Sequence, residues 1–393
     1  MVARSFEYHR PRGIVAAGSE DPAGIVQIGP DAVQTEPNTR VTEQEIYNGL
    51  VAKAQNCWPS LSYDIGILND TFSDFFPAGF YYKTFMGPPL SWMTFEPIIR
   101  KAAGLGVAPK AADPDRYDST NRHADVLVVG GGPAGLAAAK AAADAGARVI
   151  LAEETNELGG ALLSEPVGSV SIGGSKLDNA IGKLRASLEE NPDVTLLTRT
   201  TAFGYYGDNF VGLWEKVSDH LSADDREPLQ PRQRVFDGND RPGIMLAGAV
   251  RTYLHRYGVL CGHQALVFAN NDSAWATAFD LSDAGADVVG IVDLRRDLAG
   301  SILEGATKRG IPIHAGSAVV GTQGSTKVTA ADIRRLDDQG NISTAPNWVA
   351  CDLIASSAGW APNVALFSQS RGKLRYDEIL QAFRPGKSWQ NER

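Results

Sequence analysis

The feature that most constrains the fold of this chain is a glycine-rich turn at residues 130–135. Its sequence, Gly-Gly-Gly-Pro-Ala-Gly, follows an apolar stretch at 126–129 and opens an alanine-rich stretch that runs to residue 145. A second predicted strand, Arg148 to Ala152, lies beyond it. Strand, turn, helix and strand in this order make a βαβ unit, and such units build parallel sheets covered by helices. The sequence therefore predicts an α/β fold.

The spacing of the glycines matches the G-x-G-x-x-G fingerprint of dinucleotide-binding proteins. Gly130 permits the tight turn, Gly132 lets a pyrophosphate approach the backbone, and Gly135 lets helix and strand pack closely. The helix that begins beside Pro133 offers unpaired N–H groups and the positive end of its dipole to the phosphates. We therefore predict that this turn binds the phosphates of a dinucleotide.

An acidic pair follows at the end of the second predicted strand. Glu153 lies 18 residues after Gly135, where a carboxylate accepts hydrogen bonds from the adenosine ribose hydroxyls, and the adjacent Glu154 can share this role. An acid at this place repels a 2′-phosphate, which favours NAD or FAD over NADP. Gly160 and Gly359 lie in further turns that we assign to the same site.

A second, degenerate βαβ unit follows, with predicted strands at 265–269 and 287–292 around a helix at 273–284. Asn271 stands in its turn, where close phosphate approach requires a residue without a side chain. We expect the fold to persist while dinucleotide binding is lost. An intact second nucleotide site is the alternative.

These units suggest four segments: 1–112, an N-terminal region with an aromatic-rich connector; 124–220, the first dinucleotide-binding segment; 221–348, the second, degenerate segment; and 349–393, which returns to the first domain and ends in a tail. In the N-terminal region, Thr42 and Glu45 form a capping-box pattern. This pattern predicts one helix, with Ile46, Leu50 and Val51 on its buried side.

Composition excludes several classes of function. A net charge of −9 argues against nucleic acid as the main partner. No apolar run is long enough for a membrane span, and the histidines and cysteines lack metal-ligand spacing. Three scattered cysteines fit a reducing, cytoplasmic location. No catalytic base stands out; Lys83, His255 and Lys373 are candidates only by elimination.

Four segments resemble the alpha subunit of heterotetrameric sarcosine oxidase. They are RSFEYHRPRGI at 4–14, PAGFYYKTFM at 77–86, NDRPGIML at 239–246 and SQSRGKL at 368–374. The resemblance runs in order over nearly the whole chain. It implies the Rossmann-like fold of flavoproteins with two dinucleotide-binding domains, preceded by an irregular, ferredoxin-like remnant.

The resemblance also implies a function. The family oxidises sarcosine to glycine and forms H2O2, with formaldehyde or methylene-tetrahydrofolate as the one-carbon product. It acts as a complex of alpha, beta, gamma and delta subunits, in which the beta subunit holds FAD and FMN lies at the alpha–beta interface. The alpha subunit binds NAD. Carried over to this sequence, the NAD contacts beside the glycines are Ala134, Glu153, Glu154, Thr155, Ala161 and Ala202.

The chain departs from the family in places. Ala16, Ala17 and Gly18 stand where iron–sulfur relatives carry cysteines, so no cluster is expected. The C-terminal folate-binding domain is absent from this sequence, which we therefore expect to represent part of a longer subunit. Alternative functions are an FAD- and NAD-dependent oxidoreductase, either free-standing or a subunit acting on another secondary amine or an opine, and a truncated scaffold without catalysis.

Overall fold

The computed structural model describes residues 6–7, 10–11, 16–17, 25–29, 35–42, 44–55, 57, 59–60, 63, 65, 92–102, 104–107, 119–166, 171–172, 175–217, 242–324, 327–360, 362–380 and 382–388. The chain divides into two units. The glycine-motif unit comprises residues 117–217 and 359–393, and the five-stranded unit comprises residues 1–116 and 218–358.

The N-terminal region contains short strands and one helix. In chain order they are β1 (Phe6–Glu7), β2 (Arg10–Pro11), β3 (Ile25–Ile28), β4 (Glu36–Arg40), β5 (Ala52–Ala54) and α1 (Trp92–Ala102). Strand β3 pairs antiparallel with β4 on one side and β5 on the other. Ile25, Val26 and Ile28 are buried, so β3 is the centre of this sheet.

The predicted helix at Thr42–Val51 is wrong. Residues 44–51 contain no helix, and the chain enters β5 directly afterwards. Ile46, which we expected to face the core, is 90% exposed. A short helix is stable in a protein mainly through the burial of its apolar face, and here Ile46 and Val51 are exposed. Lys83 and most of the aromatic-rich connector lie outside the described residues.

The first part of the glycine-motif unit alternates strands and helices. Its elements are β6 (Val126–Val129), α2 (Pro133–Asp144), β7 (Val149–Ala152), a 3-10 helix (Gly160–Ser164), β8 (Ser171–Ile172), β9 (Ser175–Lys176), α3 (Leu177–Glu189), β10 (Val194–Leu197), β11 (Thr200–Tyr205) and β12 (Val211–Glu215). Strands β10, β7 and β6 form a parallel sheet in that order.

Helix α2 covers this sheet because its small side chains allow a close approach. Leu136, Ala139 and Ala143 recur at helical spacing and are buried against Val149 and Leu151 of β7. Strand β7 is central and is buried at all four positions, as expected of a strand inside a parallel sheet. The core therefore fixes β6, the turn and the start of α2 relative to the end of β7.

The second part of the five-stranded unit continues the same alternation. Its elements are β13 (Ile244–Leu246), α4 (Ala247–Arg251), a π-helix (Thr252–Arg256), β14 (Gln264–Ala269), α5 (Ser273–Asp283), β15 (Asp287–Asp293), α6 (Gly300–Lys308), β16 (Ile313–Ala315), β17 (Ser317–Gln323), β18 (Ala330–Arg335), β19 (Trp348–Ala350) and β20 (Leu353–Ser357).

Strands β13, β20, β14, β15 and β16 form one parallel sheet in that order, and β17, β18 and β19 form an antiparallel sheet. Side chains along β14 alternate between the two faces of the parallel sheet, so neighbouring residues of this strand pack against different layers. Val267 lies on the face covered by the helices and belongs to the same buried cluster as Trp275 of α5. Leu266 points to the other face, where Ile333 of the antiparallel sheet packs.

The chain leaves the five-stranded unit later than we predicted. Residues 349–358 were assigned to the returning segment, but β20 pairs with both β13 and β14 and so belongs to the five-stranded sheet. The division between the units falls after Ala358. The remaining elements are α7 (Ala365–Gln369), β21 (Leu374–Asp377) and β22 (Ala382–Pro385), which lie in the glycine-motif unit.

Candidate dinucleotide site

The predicted strand–turn–helix arrangement is present at residues 126–144. Gly130 has φ +100, a backbone conformation that favours glycine, and its N–H continues the sheet by donating to the carbonyl of Ala152 at 2.8 Å. Gly132 is the N-cap residue of α2 in an extended conformation. Pro133 at the first helical position has no N–H to satisfy, so the free donors of the helix start just beyond it.

Two of the glycines differ in what surrounds them. A Cβ on Gly135 would collide with the carbonyl oxygen of Gly130, so only glycine lets α2 lie this close to the turn. A Cβ on Gly132 would meet nothing nearer than the Gly160 Cα at 3.9 Å. The space in front of Gly132 is therefore open, as a cradle for a phosphate at a helix N-terminus requires.

The two glycine segments lie against each other. The N–H of Gly159 donates to the carbonyl of Gly131 at 2.8 Å. A Cβ on Gly160 would come within 2.8 Å of the Gly132 Cα. Ala161, in the 3-10 helix that follows, is exposed. Residues that are 28 positions apart thus form one wall.

Glu153 joins this wall through its side chain. Its Oε2 accepts the N–H of Gly131 at 2.6 Å, and its Oε1 accepts the N–H of Thr155 at 2.9 Å. The residue is buried, with 6% exposure. An ionised carboxylate has about four acceptor positions, so two bonds leave room for the two hydroxyls of a ribose.

The other predicted residues differ in their proximity to this wall. Thr155 is half-buried, and its carbonyl accepts the N–H of Arg199 at 2.8 Å. Glu154 is exposed. The N–H of Thr200, two residues before Ala202, donates to the Glu153 carbonyl at 2.7 Å, so β11 starts beside the acid.

Ala134 is exposed in the first turn of α2, and Gly359 has φ +98 in the same unit.

The sequence prediction missed the role of Gly131. A Cβ there would lie 2.5 Å from Leu158 Cδ2 and 3.1 Å from Oε2 of Glu153. A side chain at this position would therefore force Leu158 to shift and would crowd Glu153. The signal was in the sequence, because the fingerprint needs no glycine at its second position and this chain has one.

Two of the residues considered as catalytic candidates, His255 and Lys373, fall within the described part of the chain. His255 belongs to the five-stranded unit, and its Nε2 is 2.9 Å from Oδ2 of Asp280, which also pairs with Arg251 at 2.6 Å. Lys373 is exposed beside β21. Over the part of the chain that the structure describes, no group of His, Cys, Asp and Glu residues could hold a metal ion. No described helix is long and apolar enough to cross a membrane.

Two family descriptions match the chain. Residues 125–202 match "FAD dependent oxidoreductase", and residues 1–57 match "2Fe-2S iron-sulfur cluster binding domain". The second match confirms the ferredoxin-like N-terminus. The residues do not fit a cluster, however, because a [2Fe–2S] centre takes four cysteines and residues 1–57 contain only Cys57. Ala16 is 3% exposed and offers no ligand.

Known proteins resemble nearly the whole chain. Sarcosine oxidase subunit alpha of Rhizobium meliloti is 42% identical over 98% of this chain and 39% of that protein. The subunit of the same name from Corynebacterium sp. strain U-96 is 36% identical over 74% of this chain and 32% of that protein. The chain thus spans less than half the length of these relatives.

A solved structure supports the fold. L-proline dehydrogenase from P. horikoshii superposes with a TM-score of 0.50 at 14% identity, covering 96% of this chain and 60% of that one. Together with the family matches, this confirms the predicted Rossmann-like flavoprotein fold. Over 98% of its length, the chain is thus similar to part of a sarcosine oxidase alpha subunit.

Proposed function

We propose that this chain is the NAD-binding part of the alpha subunit of a sarcosine oxidase. The observation that carries the proposal is the open cradle at Gly132, walled by Gly160 and bounded by the half-satisfied carboxylate of Glu153. NAD and FAD share their ADP half. The cradle would hold the pyrophosphate, and Glu153 would accept the ribose hydroxyls. The family resemblance favours NAD.

In the complete enzyme the chain acts with other subunits. The reaction is the oxidative demethylation of sarcosine to glycine with H2O2 and either formaldehyde or methylene-tetrahydrofolate. FAD belongs to the beta subunit and FMN to its interface with alpha. Gamma and delta subunits complete the complex. The family resemblance, in which the beta subunit oxidises the amine, supports an amine-oxidising site on another subunit.

FAD in the first site is the second candidate, because residues 125–202 match an FAD-dependent family. The contacts described here concern the ADP half and serve both cofactors. A bound flavin gives an absorbance band near ~450 nm, which NAD lacks. The colour of the purified chain therefore separates the two.

The test is to purify the chain after co-expression with the neighbouring subunits, denature it and identify the released nucleotide by mass spectrometry. We expect one NAD per chain and no flavin from the chain itself. Gly132→Val should abolish nucleotide retention. Gly132→Ala, whose Cβ makes only an ordinary contact with Gly160, should fold normally and bind more weakly. Gly207→Val is the matched control, because Gly207 also has free space around it.

Several results would contradict the proposal. Unchanged nucleotide content in Gly132→Val would show that the site is misassigned. A flavin released from the isolated chain would favour FAD. If the assembled complex oxidised a different secondary amine or an opine but left sarcosine untouched, the substrate would be wrong. An assembled complex that oxidises no amine would favour the alternative of a truncated scaffold without catalysis.

A further inference from the structure

The second dinucleotide fold repeats the strand–turn–helix order of the first but not its glycines. Asn270, Asn271 and Asp272 lie between the end of β14 and the start of α5. Asp272 already has helical φ and ψ (−69 and −27), whereas Gly132 is extended. The strand register places Ala269 opposite Asp293, as the next step of the β6–β7 register places Gly130 opposite Glu153. Asn271 therefore stands in the place of Gly132, as the sequence predicts, and the carboxylate of Asp272 stands at the start of the helix.

A carboxylate at this position disfavours a dinucleotide. The side chain of Asp272 stands at the N-terminus of α5, where the phosphates would approach. It pairs with Nη1 of Arg295 at 2.7 Å. A phosphate entering here would meet both the side-chain volume and the negative charge of Asp272, and it would have to displace Arg295 from that pair.

Asp293, the acid of the second fold, already accepts hydrogen bonds from within the protein at both carboxylate oxygens. Oδ1 of Asp293 accepts the backbone N–H of Arg295 at 2.9 Å and its Nε–H at 3.0 Å. Oδ2 accepts the Trp275 indole N–H at 2.8 Å and Nη2 of Arg295 at 2.9 Å. These four bonds use the acceptor capacity of a carboxylate. Asp293 is 0% exposed, so no ribose hydroxyl can reach it without breaking them.

The rest of the turn is also held by its own side chains. Trp275 lies in the first turn of α5 and is completely buried. Nδ2 of Asn271 donates to Oδ1 of Asn270 at 2.8 Å and to Oγ of Ser357 at 2.9 Å. These bonds tie the turn to the end of β20. Neither of these two side-chain hydrogen bonds has a counterpart in the turn at Gly132.

We infer that the second dinucleotide fold is closed by its own side chains, with Arg295 bridging Asp272 and Asp293 in the place of a nucleotide. Of the two dinucleotide folds, only the one at Gly132 then binds a dinucleotide. This inference goes beyond the proposed function, since the second fold would be closed whichever dinucleotide occupies the first.

The first experiment counts NAD in the co-purified, assembled protein, leaving aside the FAD and FMN assigned to the beta subunit and its interface, and then titrates NAD back into the stripped protein. We expect one equivalent per chain for the wild type and none for Gly132→Val. Two equivalents in the wild type and one in Gly132→Val would overturn the closed second fold but leave the proposed function intact. One equivalent in both proteins would refute the assignment of the first site.

The second experiment uses Arg295→Ala, with Arg309→Ala as the matched control. Arg309 lies in the same unit and pairs with Asp283 at 2.7 Å, so both variants lose one paired guanidinium. We expect Arg295→Ala to lower the melting temperature more than the control and to keep nucleotide affinity within about threefold of the wild type. A larger loss of affinity in Arg295→Ala alone would show that Arg295 contacts the nucleotide and would overturn the inference.

Discussion

The backbone N–H of Gly131 donates a 2.6 Å hydrogen bond to Oε2 of Glu153, across 22 residues of sequence. The acid that we expect to meet the ribose is therefore also a structural part of the turn. The bond lies in a buried environment, where an unsatisfied donor or acceptor costs more than it does at the surface. Nucleotide binding and stability should consequently respond together to changes at Glu153.

Glu153→Gln tests this dual role. Glutamine keeps the shape but replaces one carboxylate oxygen with an NH2 group, which faces the N–H of either Gly131 or Thr155. One buried donor then loses its acceptor. We expect the free energy of unfolding to fall by about 1–3 kcal/mol, measured by urea denaturation, and nucleotide affinity to fall as well.

Glu190→Gln is the control for this change. Glu190 is exposed at the end of α3 in the same unit, and its substitution should alter the free energy of unfolding by no more than about 0.5 kcal/mol. Equal stability losses in the two variants would show that the Glu153 hydrogen bonds contribute nothing specific.

Two helical glycines should respond to alanine with opposite signs. Gly135 in α2 has no room for a Cβ, because the carbonyl oxygen of Gly130 lies in its path, whereas nothing lies within 4 Å of a Cβ on Gly182 in α3. Gly135→Ala should destabilise the protein by about 1–3 kcal/mol through overpacking. Gly182→Ala should stabilise it by about 0.5–1 kcal/mol through helix propensity. Thermal melts of both variants check the signs, and a stabilised Gly135→Ala would contradict the packing.

Local patterns predicted the parts of the fold whose physics is local. The βαβ unit at 126–152 was found almost to the residue, because apolar strands, a glycine turn and an alanine-rich helix leave few alternatives. The same logic failed at Thr42, where a capping box predicted a helix whose apolar residues Ile46 and Val51 are exposed in the structure. Capping contributes about 1 kcal/mol, too little without burial.

Long-range side-chain bonds were beyond sequence patterns. Nothing in the local sequence indicates that the Trp275 indole donates a hydrogen bond to Asp293. The same holds for the bond from Asn271 to Ser357, which lies in a strand 86 residues further along the chain. Gly131 is plain in the sequence, but the reason for a glycine there, the packing of Leu158 and Glu153 against it, appears only in the structure.

Two thiols should resist alkylation in the folded protein. Burial raises the pKa of Cys261 to about 11. Burial, followed by the charge of Asp352, raises the pKa of Cys351 to about 12. At pH 8 at most about a thousandth of either thiol is the reactive thiolate. Iodoacetamide labelling followed by peptide mass spectrometry should leave both unmodified in native protein and modify both in urea. Rapid labelling of either in the native state would revive a redox role for that cysteine.

The bridge at Asp293 predicts a pH dependence of stability. Burial opposes the charge on Asp293, but hydrogen bonds from Arg295 and Trp275 outweigh it and hold the pKa below its ordinary 3.8. A lowered folded-state pKa means that the stabilisation is fully present above the unfolded-state pKa and is lost as the pH falls through the folded-state value. Asp293→Asn should therefore lower the free energy of unfolding by about 1–3 kcal/mol at pH 7, and its difference from the wild type should shrink below about pH 4. Urea denaturation across this range measures the difference, and one that stays constant down to the lowest pH would show that lost packing, not lost charge, is responsible.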